Sequence, residues 1–382
     1  MLVLQSCSTV PPRNAVPENK VELATIPGGD IARLWGDEAP SDAEARLELL
    51  RKQMSANDKD GDFTRPHYYL TISGGGANGA FGAGLLKGWS ESGTRPEMTI
   101  VTGISTGALI APFAFLGSDY DAQLKQLYTS LSTKDLIRKR SLLGGLLGDA
   151  MADTQPLRDL LRNTVDDQMI AAIAREYNKG RRLLIGTTNI DAKRPVIWNI
   201  GAIATVGTEE SAQLIRDIML ASASIPGVFP PVRISVRVGE QVYDELHVDG
   251  GVASQVFLYP AQFDFRQAKK TVGVAGTQTV YVIRNGNLQP VWSEVKPKIM
   301  PVALSSIDTL IRTQGIGDLY RIYLGTKRDG ITYQLAYIPV DFNFEAEEEF
   351  DPKYMRALFD LGYQMARDGY QWETSPPGVI LP

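Results

Sequence analysis

The chain reads as an α/β protein with a mainly parallel central sheet and helices on its faces. Two observations predict this. A short β-rich run at 68–72 enters a Gly-rich turn and a helical stretch ending near Gly93; a second strand at 98–101 then enters a Gly-bracketed turn and an Ala/Leu/Phe-rich helix ending near Leu116. Strand, turn and helix repeated at this spacing imply βαβ units, whose helices pack back onto a parallel sheet. The composition fits as well: 43% hydrophobic and 22% charged residues are ordinary for a chain with a sizeable core.

The elements follow in order. Ser41-Asp42-Ala43-Glu44 is a capping-box pattern that opens an amphipathic helix to about Ser55. Beyond the two βαβ units, helices are predicted at 120–131, 155–162, 167–178 and 210–223, and strands at 182–187 and 195–199. Pro226, Pro230 and Pro231 break regular structure before alternating residues at 232–238 and 241–248 predict a pair of strands leading into Asp249. A strand at 278–283, a long helix at 300–324, a strand at 331–339 and a helix at 352–368 complete the series. Asp351 caps that last helix and Pro352 occupies its first turn. The acidic run from Glu345 to Glu349 reads as a solvated edge. We read residues 1–20 as a disordered linker or tether, 21–372 as one α/β domain, and 373–382 as a Pro-rich tail.

Several function classes fall away. The formal charge of −5 argues against a general nucleic-acid binder. No apolar run approaches the ~20 residues of a membrane span. Cys7, the one cysteine, excludes an internal disulfide or a cysteine-based metal site. Leu4-Gln5-Ser6-Cys7 resembles a bacterial lipobox, in which the cysteine carries the lipid of a mature lipoprotein, and the Pro-rich tract behind it suits a tether. The basic start and full apolar stretch of a signal peptide are missing from the sequence. The expectation is a protein anchored through Cys7 in a bacterial cell envelope, the alternative a soluble cytoplasmic or secreted one.

Three motifs carry chemistry. Gly103-Ile104-Ser105-Thr106-Gly107 matches G-x-S-x-G, a sharp strand-to-helix turn that holds a serine in strained backbone while the glycines remove clashing side chains. Gly74-Gly75-Gly76-Ala77-Asn78-Gly79 lets backbone N–H groups converge on an anion at a helix start, whether a phosphate or the oxyanion of a tetrahedral intermediate. The same string satisfies G-x-G-x-x-G, but dinucleotide binding needs a carboxylate near the end of the second strand, and that strand ends in Val101-Thr102-Gly103. Asp249-Gly250-Gly251 places a carboxylate at a strand end with room around it; alone, such turns are usually structural.

A Ser-His-Asp triad needs an imidazole between serine and carboxylate. Only His67 and His247 exist. His67 precedes the first strand, at the far end of the sheet. His247 shares a strand face with Asp249 and stays open as a helper. Direct contact of Asp249 with Ser105, as the base of a dyad, is more economical.

The ordered set Gly74 to Gly79, Gly103 to Gly107 and Asp249-Gly250-Gly251 resembles the patatin-like phospholipase family, as does the block from Ala221 to Pro226 with Phe229-Pro230-Pro231. The resemblance covers about residues 67–260. It implies a three-layer α/β/α fold, no cofactor or metal, and membrane lipids or other acyl esters as substrates. It makes Ser105 the nucleophile, Asp249 the base, and Gly75 and Gly76 the oxyanion donors, with Gly74 shaping that loop. The family often carries Arg or Lys where Asn78 stands, which leaves charge-based recognition of a phosphate head group in doubt. An acyltransferase would use the same motifs with an alcohol as acceptor, and a lipid-binding lipoprotein could keep the pocket without turnover. Lys134, Arg138, Lys139 and Arg140 before the leucines of 142–147 suit either a membrane-facing flap or a surface loop whose leucines pack on the body.

Overall fold

The computed structural model describes residues 13–57, 63–139, 152–290, 292 and 294–379. Cys7, Arg140 and the leucines of 142–147 lie outside the described residues.

One sheet of nine strands forms the centre: β1 (Arg33–Trp35), β2 (His67–Ile72), β3 (Ile100–Ile104), β4 (Arg182–Asn189), β5 (Arg194–Asn199), β6 (Val232–Val238), β7 (Gln241–Asp249), β8 (Gln278–Arg284) and β9 (Thr332–Tyr337). Its order is β1-β5-β4-β3-β2-β8-β9. The strands from β4 to β9 in that order are all mutually parallel. β5, β1, β7 and β6 extend the sheet by antiparallel pairing. The parallel centre agrees with the sequence reading. The antiparallel flank follows from local connections: β4 and β5 are joined by a short turn, as are β6 and β7, and a parallel neighbour would have needed a longer crossover.

The longer helices are α1 (Ala43–Asn57), α2 (Gly79–Glu91), α3 (Thr106–Leu116), α4 (Asp121–Ser130), α5 (Gln155–Thr164), α6 (Asp167–Asn178), α7 (Glu209–Ser222), α8 (Phe265–Val272), α9 (Ile299–Asp329) and α10 (Pro352–Arg367). Strand residues point alternately to opposite faces, and this sorts the core in two. Leu70, Ile72 and Ile283 join the core built with α2, α3 and α10. Tyr69, Val280 and Val282 join a second core with Leu319, Ile322 and Tyr323 of α9. Helices therefore cover both faces, giving three layers. α3, directly behind Ser105, is apolar all round and correspondingly buried, with Ile110, Ala111 and Phe115 wholly inaccessible.

Most predicted elements appear with ends moved by a few residues. The second strand ends three residues further on than expected, at Ile104, so that it delivers Ser105 without an intervening loop. Residues 13–20, expected to be disordered linker, instead lie against the body: Arg13 pairs with Asp191 at 2.7 Å and with Asp244 at 2.8 Å, and Ala15 bridges to Asp244. Glu373, at the start of the expected tail, pairs its backbone with Leu335 of β9. The acidic run 345–349 is exposed along its whole length.

Candidate active site

The C-terminal ends of β2, β3 and β8 emerge at one edge of the sheet, where ligands of open α/β sheets bind. β3 reaches there carrying Ser105. β4 then does something that brings Asp249 to the same place. Its first half pairs with β3, ending at Gly186 opposite Ile104. Its second half pairs, on that same flank, with β7, beginning at Thr187 opposite Asp249. The two strand ends meet head to head, and residues 144 positions apart in the chain become neighbours.

Ser105 has φ 54°, a region costly for a side chain with a Cβ. The strain is held from outside. Its N–H donates to Ser222 Oγ at 3.0 Å, and that hydroxyl donates to the Gly186 carbonyl at 2.7 Å. Ser224, two residues on, accepts the Asp249 N–H on its carbonyl at 2.9 Å. The block 221–226 is thus a clamp gripping both strand ends. A side chain at Gly107 would run into the Ile72 carbonyl, which explains the last glycine of the motif.

Asp249 is buried, 4% exposed. Its Oδ1 accepts the Gly251 N–H at 2.7 Å. Burial pushes its pKa up to about 7, against the opposing pull of hydrogen bonding from the Ser105 hydroxyl and the Gly251 amide. Yet Oδ2 is inaccessible and makes no hydrogen bond of good geometry among the described residues. The Ser105 hydroxyl thus influences the carboxylate through a loose contact, without a hydrogen bond of good geometry.

The 74–76 loop lies over the serine. A Cβ on Gly74 would sit 3.1 Å from Ser105 Cβ and 3.7 Å from its Oγ. Gly74 itself is no oxyanion donor, because its N–H is taken by the Gln255 carbonyl at 3.2 Å; it shapes the loop. The N–H groups of Gly75 and Gly76 have no acceptor among the described residues. Gly75, at φ 154°, passes so close to the Asn285 carbonyl that only hydrogen fits there. Asn78 carries no charge and binds the Tyr354 hydroxyl at 2.5 Å.

Neither histidine reaches the serine. His67 begins β2, at the opposite end of the strand, with Nδ1 3.3 Å from Thr99 Oγ1. His247 is wholly buried between Thr187, 2.9 Å from Nδ1, and Glu245, 3.1 Å from Nε2. Burial lowers its pKa, only partly offset by Glu245, while His247 and Arg33 lower the pKa of Glu245 despite burial. Both ring nitrogens are spent on structure.

Sequence reading missed the supports that arrive from late in the chain. Gln255 Nε2 donates to the Gly251 carbonyl at 2.7 Å, so this residue ties the glycine loop to the aspartate turn. Asp318 of α9 accepts from the Gln255 N–H at 2.6 Å and from Ser254 Oγ at 3.0 Å. Neither shows a local spacing that could have revealed it. On the α9 side, a cavity of about 620 Å³ with largely apolar walls, including Ile104, Gly250, Phe257 and Ile322, abuts the serine and aspartate turns. Among the described residues no cluster of potential ligands could hold a metal ion.

Residues 70–261, half of the chain, match the family model for patatin-like phospholipases. The chain belongs to the patatin-like phospholipase family. Membership places it among lipid hydrolases. Solved structures show looser likenesses. VipD from Legionella pneumophila is 12% identical over 80% of this chain and 68% of its own, with a TM-score of 0.37. The type III effector ExoU of Pseudomonas aeruginosa is 15% identical over 79% and 52%, TM-score 0.32. Human GIVD cytosolic phospholipase A2 is 11% identical over 74% and 53%, TM-score 0.31. The patatin-like chain thus spans about half the length of the last two. No curated protein matches its sequence.

Proposed function

We propose that this patatin-like protein hydrolyses ester-linked acyl chains of membrane lipids, with Ser105 as nucleophile and Asp249 as general base. One observation carries the reading: a serine in strained backbone beside a buried carboxylate whose pKa lies near 7 and one of whose oxygens lacks a good partner. A base with a pKa near the working pH combines availability with driving force for proton transfer.

Ser105 Oγ attacks the acyl carbonyl and Asp249 takes its proton. The Gly75 and Gly76 amides receive the negative charge of the tetrahedral intermediate. Asp249 then protonates the departing alkoxide. A water deprotonated by Asp249 releases the fatty acid from the acyl-serine. Each oxyanion donor is worth about 10²–10³ in rate. The apolar cavity on the α9 side suits an acyl chain.

The test is product analysis on mixed bacterial phospholipids with wild type and Ser105→Ala. Free fatty acid from wild type alone is expected; release by both proteins, or by neither, overturns the assignment. Location is a separate proposal, carried by Leu4-Gln5-Ser6-Cys7: a lipid on Cys7 holds the protein at its substrate's membrane. Wild type should pellet with membranes and Cys7→Ala should not; equal partitioning contradicts the anchor.

A further inference from the structure

Arg284, the last residue of β8, has its guanidinium buried beneath the 74–76 loop, 5% exposed. Among the described residues no carboxylate lies within salt-bridge distance of it, although, against the cost of burial, Asp318 and Asp308 favour its charge from further away. Its Nη1 donates to Ser73 Oγ at 3.2 Å. The Asn285 N–H donates to the same oxygen at 2.9 Å. A hydroxyl has one proton and two lone pairs. Guanidinium and amide can only donate, so both lone pairs are filled and the Ser73 proton has one place to go: the Gly74 carbonyl, 2.7 Å away. The direction of the chain is therefore fixed, from Arg284 through Ser73 to Gly74.

That carbonyl belongs to the peptide unit whose other end is the Gly75 N–H. No peptide bond here is cis, so carbonyl and N–H point in opposite directions. Drawing electron density toward the Gly74 oxygen leaves the Gly75 N–H more positive, and hydrogen bonds in series polarise one another, more so away from water. The preceding peptide is held at both ends: Asn285 Nδ2 donates to the Ser73 carbonyl at 2.9 Å, and the Gly74 N–H donates to the Gln255 carbonyl at 3.2 Å.

We infer that Arg284 and Ser73 are positioning residues that orient and polarise the Gly75 amide as an oxyanion donor, carrying a buried positive charge to the reaction without touching substrate. The inference rests on the hydrolase reading above. It also supplies a cation to a loop whose own position 78 is the neutral Asn78.

The test is a double-mutant cycle. Ser73→Ala and Arg284→Gln should each lower kcat on a nitrophenyl ester about tenfold, with KM within about twofold, because the effect arises only in the transition state. The double variant should be no slower than the slower single one, since both cut the same chain. Arg284→Lys, which keeps the charge, should recover part of the rate. The amide resonance of Gly75, read in glycine-labelled protein by NMR, should move upfield in Ser73→Ala and in Arg284→Gln alike. Multiplying rate losses, a loss confined to KM, or an unmoved Gly75 amide overturns the inference. If wild type hydrolyses no ester, the hydrolase reading falls, while the Gly75 resonance still decides whether the chain exists.

Discussion

Two buried aspartates flank the same loop and are treated in opposite ways. Asp318, on α9, is 1% exposed, and donors surround it: Ser254 Oγ, the amides of Gln255 and Val256, and Arg321 at 2.6 Å. Asp249, at the end of β7, is 4% exposed, yet it has one amide on Oδ1 and a loose serine contact, with Oδ2 lacking a good partner. Burial raises the pKa of both, and only at Asp318 do several donors and a guanidinium work against it. A carboxylate encircled by donors is committed to holding a loop. One left short of donors keeps the ability to accept a proton.

The largest expected effect separates the two by activity. Asp249→Asn and Ser105→Ala should each reduce ester hydrolysis by on the order of 10⁴, the scale seen when a member of a catalytic unit is removed. Asp318→Asn should keep activity within about tenfold when assayed well below its melting temperature. Comparable losses at both aspartates would erase the distinction.

Stability should separate them with opposite sign. Asp249 holds a proton more tightly folded than unfolded, so between about pH 4 and 7 the folded state binds more protons and stability falls as pH rises. Replacing a charge that burial disfavours should relieve that cost. Asp249→Asn should be more stable than wild type at pH 8, by up to about 4 kcal/mol at roughly 1.4 kcal/mol per pKa unit, and the gap should close toward pH 4. Burial raises the Asp318 pKa too, so its pH dependence has the same direction. Its substitution differs because an Asn amide nitrogen would face the Gln255 and Val256 N–H groups, so Asp318→Asn should lose about 1–3 kcal/mol. Urea unfolding at the two pH values reads both.

The smallest expected effect concerns the histidines. His67→Gln with His247→Gln should leave activity per folded molecule close to wild type, since neither ring approaches Ser105. A loss beyond about tenfold with the fold intact would restore an imidazole to the mechanism.

How much of this could be read from sequence depends on whether the signal was local. The G-x-S-x-G turn, the glycine loop and the Asp-Gly-Gly end each occupy a few consecutive residues, because a strand end and its turn are written in one place. The parallel centre with helices on its faces followed from two successive βαβ units, and the three-layer order from the family resemblance. The switch of partner along β4, from Ile104 to Asp249, could not be read, since register between strands far apart in the chain leaves no trace in either. Gln255, Arg284 and Asp318 were invisible for the same reason: each is an ordinary polar residue whose role is set by what a distant segment places beside it. His247 shows the converse, a chemically suggestive residue whose spacing from Asp249 was misleading because Thr187 and Glu245 had claimed it.

The central claim is that Asp249 activates Ser105, and the pH dependence of covalent labelling tests it most directly. A fluorophosphonate reacts only with an activated serine. The rate of inactivation should rise with pH through an apparent pKa near 7, the value burial gives Asp249. The label should map to the peptide carrying Ser105, and Asp249→Asn should abolish the pH-dependent limb. A flat profile between pH 5 and 9, or label on another residue, would contradict the account.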